Sequence, residues 1–138
     1  MIPLSVRQIA GLTGATADLV ADPGALVTGP VVIDSRQAVP GSLFAALPGT
    51  RADGHDFAAA AAAAGAVVLA VRPVGVPALI VADVPAALAR LARAVLDRIS
   101  GCTIAGITGS SGKTTTKDLA AQLVETLGPT VSAQFLQQ

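Results

Sequence analysis

Short apolar runs rich in β-branched residues recur along this chain, each closed by glycine, proline or a polar cluster, with helical patterns between them. That alternation limits the fold more than any other feature, because strands alternating with helices pack as an α/β structure with a largely parallel or mixed sheet. The runs expected as strands are 31–33, 42–47, 67–71, 79–81 and 103–108. Ser5 and Gln8 stand at capping-box spacing, Leu4 and Ile9 where a hydrophobic staple packs, and Gly14 at a stop, so a helix is expected over 6–13. Asp56 is expected to cap an alanine-rich helix that Gly65 ends. Asp83 is expected to cap a second helix, in which Leu88, Leu91, Val95 and Ile99 share one side and Arg90, Arg93, Asp97 and Arg98 form the solvated face.

Composition removes several function classes. Nine basic and nine acidic side chains balance, so no net field attracts a polyanion, and with 2% aromatic residues there is little for bases to stack on. Nucleic acid is not an expected partner. The longest bland stretch, 57–71, is mostly alanine and is broken by Gly65, short of the roughly 18 apolar residues a transmembrane helix needs. Neither membrane insertion nor an N-terminal leader is expected, and the expected location is the cytoplasm. Cys102 is the sole cysteine and His55 the sole histidine, which gives neither a disulfide nor a zinc site.

The strongest chemical signal runs from Gly106 to Thr116, between an apolar strand candidate and a helical stretch reaching Leu127. Small residues let successive N–H groups turn inward on a polyphosphate, and a helix starting near Lys113 adds its positive end. The expected phosphate-binding set is Gly109, Ser110, Ser111, Gly112, Lys113, Thr114 and Thr115, with Lys113 catalytic and the Thr114 hydroxyl on Mg²⁺ beside ATP. The strict pattern would start with glycine at 107, where this chain has Ile107, so the match is to a variant. The competing reading is a Gly/Ser turn before an ordinary helix. Only 24 residues follow Thr114, too few for the remaining strands of such a domain, and neither Asp118 nor Glu125 stands on a strand tip. The nucleotide domain is therefore expected to be incomplete here, leaving Leu119, Leu123 and Leu127 to dock on the N-terminal part or drive self-association.

The blocks Asp34-Ser35-Arg36, Pro40-Gly41-Ser42-Leu43-Phe44, Ala46-Leu47-Pro48-Gly49, Asp53-Gly54-His55-Asp56-Phe57 and Thr108 to Asp118, in that order, closely resemble the start of a Mur ligase. The resemblance covers 1 to about 131 and fades after Pro129, where the tail through Gln138 departs from the family pattern. It implies a small mixed α/β UDP-substrate domain over 1–101, then the first strand, phosphate loop and helix of an incomplete ATPase domain over 102–138. It implies that Asp34, Ser35, Arg36, Asp53, Gly54 and His55 hold the uridine diphosphate end of a UDP-N-acetylmuramoyl-peptide. The implied reaction is ATP-driven amide formation through an acyl phosphate, with D-alanyl-D-alanine as incoming amine, and the isolated chain is expected to be inactive. Two other readings stay open at this point: a noncatalytic uridine-nucleotide-binding module, and a small complete phosphate-loop NTPase or kinase.

Overall fold

The computed structural model describes residues 2–133, and 134–138 of the tail lie outside the described residues. The chain divides into two compact units, Met1–Ser100 and Gly101–Gln138.

In the first unit β1 (Leu4–Ser5) leads into α1 (Val6–Thr13), followed by β2 (Thr16–Asp18), β3 (Leu26–Val27), β4 (Val31–Val32), β5 (Leu43–Ala45), α2 (Ala58–Ala63), β6 (Val67–Ala70), β7 (Ala78–Ile80) and α3 (Val84–Leu96). Five strands form a mixed sheet in the order β2-β7-β6-β5-β4. Strands β4 to β7 are parallel, with Val32 opposite Phe44, Phe44 opposite Val68 and Leu69 opposite Leu79, and β2 closes the edge antiparallel to β7. Strands β1 and β3 make a separate antiparallel pair.

Both faces of the central strands β5, β6 and β7 are covered, which is why these strands read as unbroken apolar runs rather than alternating ones. Leu43 and Ala45 of β5 point to one face and pack with Ile9, Leu79 and Leu91, under α1 and α3. Phe44 and Ala46 point to the other and pack with Ala58, Ala61 and Val68, under α2. Among the described residues Phe44 is the largest fully buried side chain, and the alanine methyls of α2 let that helix lie close over it.

The α1 capping box forms as its spacing requires: Gln8 N–H donates to Ser5 Oγ at 3.1 Å and Ser5 N–H to Gln8 Oε1 at 2.8 Å. Gly14 then adopts φ +74°, the left-handed stop that favours glycine. Asp83 caps α3 through Ala86 N–H at 2.9 Å. The expected Asp56 cap is not made. Asp53 instead accepts from His55 N–H and starts a 3₁₀ turn, Gly54–Phe57, which runs into α2 with no side-chain cap. Strands β1 and β2 escape the sequence reading because Leu4–Ser5 and Thr16–Asp18 hold no continuous apolar run, and β3 (Leu26–Val27) is also missed.

The second unit departs from expectation more sharply. No strand forms over 103–108, where every residue is exposed. A strand needs a ladder partner to satisfy its N–H and C=O groups, and among the described residues this segment has none. The following helix, α4 (Lys113–Val124), does form, because its hydrogen bonds are internal, though it ends before the expected Leu127. Leu119, Leu123 and Leu127 are exposed. Among the described residues the second unit contains no strand, α4 being its one regular element.

Candidate functional site

The parallel strands β4, β5 and β6 end on one edge of the sheet, where open α/β sheets carry their ligands. Beyond β4 the chain makes a 3₁₀ turn over Ser35–Gln37, begun by Asp34, whose carboxylate accepts Arg36 N–H at 2.9 Å. The same carboxylate takes the Arg36 guanidinium as a fork, Nε at 3.0 Å on Oδ1 and Nη2 at 2.7 Å on Oδ2. That hydrogen-bonded cation holds the Asp34 pKa down to about 2. Arg36 is 88% exposed, so Asp34 orients a guanidinium whose other edge faces solvent.

Beyond β5 the loop from Leu47 folds back on itself. Gly54 N–H donates to Leu47 O at 2.8 Å, and Pro48 bridges Asp53. A Cβ on Gly54 would stand 2.7 Å from both Leu47 N and Leu47 O, so only glycine fits that approach. His55 is buried, its side chain 2% exposed. Its Nε2 accepts Val71 N–H at 3.1 Å, which leaves the ring proton on Nδ1, and Nδ1 donates to Asp53 Oδ1 at 2.7 Å. Val67 N–H donates across the ladder to Ser42 O; Val71, four residues on and facing the same way, gives its N–H to the imidazole.

Asp53 carries a third partner that sequence reasoning missed. Arg72, just past β6, donates from Nη2 to Asp53 Oδ2 at 2.8 Å. Arg72 first, then the His55 backbone N–H and ring, hold the Asp53 carboxyl well below the usual carboxylate range. The available signal was positional: an arginine at the carboxyl end of an apolar run, before a proline that biases its backbone toward extended conformations.

The remaining expected residues lie in the second unit. Gly112 takes φ +73° and turns the chain into α4, and the first helical bond runs from Thr116 N–H to Gly112 O at 2.9 Å. The N–H groups of Lys113, Thr114 and Thr115 therefore have no intrahelical acceptor. Gly109, Ser110 and Ser111 precede them, exposed, and Lys113 Cγ would lie 3.8 Å from a Cβ on Gly109, so the lysine stem passes over the bend. No group of three or more His, Cys, Asp or Glu side chains suited to a metal occurs among the described residues. No helix among them is long and apolar enough to cross a membrane.

Residues 27–96 match the model of the Mur ligase family, catalytic domain. The chain is 52% identical over 159 aligned positions to a UDP-N-acetylmuramoyl-tripeptide--D-alanyl-D-alanine ligase of Mycobacterium tuberculosis, covering 96% of this chain and 31% of that protein. The Escherichia coli ligase of the same name is 43% identical, with 73% of this chain and 23% of that one covered. In three dimensions the chain is similar to MurF from Acinetobacter baumannii, with a TM-score of 0.78 and 32% identity over 92% of this chain and 28% of that one. MurF ligase from Thermotoga maritima, crystallised in complex with ADP, gives 0.63 and 40% over 72% and 24%. The chain thus spans about 31% of the length of its curated mycobacterial relatives, and over that span sequence and fold agree that it belongs to the Mur ligase family.

Proposed function

We propose that this chain supplies the substrate-holding part, and the start of the ATP-binding part, of a ligase that joins D-alanyl-D-alanine to a UDP-N-acetylmuramoyl-tripeptide. The observation that carries the reading is the Asp34–Arg36 fork at the end of β4, beside the Asp53–His55 loop at the end of β5, in a chain with 52% identity to such ligases. Residues 1–101 act as the UDP-substrate domain and 102–138 as the opening of the ATP-binding domain.

In this reading Arg36, oriented by Asp34, donates charge-assisted hydrogen bonds to the diphosphate, and the Ser35 hydroxyl adds a neutral donor. Asp53, Gly54 and His55 shape the same pocket. The bend at Gly109, Ser110, Ser111 and Gly112 and the N–H groups of Lys113, Thr114 and Thr115 receive the ATP phosphates, with Lys113 placing a point charge on the transferred group. The donor set fits the metal as well, since Thr114 offers a hydroxyl at the first turn of α4, suited to Mg²⁺. When bound, Mg²⁺ would neutralise charge on the β- and γ-phosphates. Ligation needs the further sequence that the relatives carry, so the chain alone is inactive.

Calorimetric titration of the chain with UDP and, separately, with MgATP tests this. UDP is expected to bind, and Arg36→Ala to weaken it about tenfold or more, the loss of a charge-assisted hydrogen bond being about 1.5–3 kcal/mol. MgATP is expected to bind weakly or not at all. A chain that ignores UDP overturns the proposal.

A further inference from the structure

The residues expected to touch the diphosphate at the β5 end have no donor left to give it. His55 is buried and both ring nitrogens are engaged, Nδ1 by Asp53 and Nε2 by Val71 N–H just past β6. Asp53 is an acceptor that repels phosphate unless neutralised, and both its oxygens are taken, Oδ1 by His55 and Oδ2 by Arg72. What these groups can do is fix the Leu47–Gly54 loop, whose tip carries the exposed Thr50 and Arg51.

Two elements far apart in sequence meet in that lock. Arg72 stands just past β6, the strand beside β5, and reaches Asp53 across 19 residues. It is 53% exposed, at the same sheet edge as the loop after β5, with Pro73 restricting its backbone. Its cation cancels the Asp53 charge and holds the carboxylate so that Oδ1 can take the His55 ring and backbone together.

Resting on the uridine diphosphate reading above, we infer that Arg72 is a positioning residue for the substrate loop, acting through Asp53 on His55 and not by touching the ligand. Arg36 remains the guanidinium that meets phosphate.

Because His55 is the sole histidine, its imidazole nitrogen signals in a ¹⁵N-labelled chain need no assignment. The wild-type chain is expected to show a protonated Nδ1 and an unprotonated Nε2. Arg72→Ala is expected to shift the Nδ1–H resonance and to weaken UDP about tenfold while the β5 and β6 amide signals stay in place, a loss in the range of one charge-assisted hydrogen bond. Arg72→Lys, which keeps a cationic donor, is expected to recover most of both effects. Arg72→Met keeps the apolar stem and repeats the test should the alanine variant lose packing. Unchanged UDP affinity in the alanine and methionine variants overturns the inference. So does weakened UDP binding with an unmoved imidazole signal, which would make Arg72 a direct ligand contact, and so does a lysine variant no better than alanine. A wild-type chain that ignores UDP defeats the proposed function by itself; the imidazole arm needs no ligand, and there a shifted signal upholds the coupling and an unshifted one overturns it.

Discussion

The two units of this chain contain similar sequence and reach different structures. Val67–Ala70 and 103–108 are both apolar runs of strand character, yet only the first becomes a strand. β6 lies between β5 and β7 and buries both its faces, while 103–108 has no ladder partner among the described residues and stays exposed. A helix can close its hydrogen bonds within itself, and α4 forms even with Leu123 at 73% exposure. A strand cannot. The difference teaches that helices and caps are properties of a segment, whereas strands are properties of a neighbourhood.

Amide hydrogen exchange gives the largest expected contrast. The amides of β5 and β6 should exchange only through global opening, typically worth about 5–15 kcal/mol, and those of 103–108 with almost no protection. Slow exchange at Ile104 or Ile107 would break the comparison, since it would require a partner for that segment. Next comes Phe44→Ala, expected to cost about 3–5 kcal/mol in urea denaturation because it opens a cavity in a core covered on both sides. Leu123→Ala, the matching change in the second unit, should stay within about 0.5 kcal/mol. Equal costs at the two sites would remove the distinction. Ser5→Ala should cost about 1 kcal/mol, the value of a local cap that either kind of unit could carry.

Those segmental and neighbourhood properties also explain what the sequence revealed. The α1 cap, its Gly14 stop and the Asp83 cap were legible because donor and acceptor lie within a few residues of each other. The strands β5 to β7 were legible because burial on both faces leaves an unbroken apolar run, and β4 because its β-branched pair Val31–Val32 stands ahead of a polar tip. Strand order was not, since β2 pairs with β7 across some sixty positions. At the candidate site, the Asp34–Arg36 fork spans two residues and could be suspected from the motif, while Arg72 meets Asp53 across 19 and its position at the end of an apolar run did not name its partner. The Asp56 cap failed for a local reason: the 3₁₀ turn starts three residues earlier, where Asp53 reaches His55 N–H.

The smallest effect is also the most local, and it separates a two-residue ion pair from the neighbourhood around it. Asp34 is held to a pKa of about 2 chiefly by the Arg36 side chain and next by the Arg36 backbone N–H. A carboxyl whose folded pKa lies below its unfolded value of about 3.9 stabilises the fold above that pH and loses its contribution as the pH falls toward 2. Arg36 is almost fully exposed, so solvent screens the pair and the stability change should be slight; the ionisation itself should be plain. Carboxyl ¹³C titration should give a midpoint near 2 for Asp34 in the wild-type chain. Arg36→Ala should raise that midpoint toward the ordinary value without reaching it, because the backbone N–H at position 36 remains as a donor. A full return would mean that the 3₁₀ turn opens when the guanidinium is lost, so that the side-chain pair holds the turn. A partial return would mean that the turn stands on its own backbone and presents Arg36 ready-made at the end of β4.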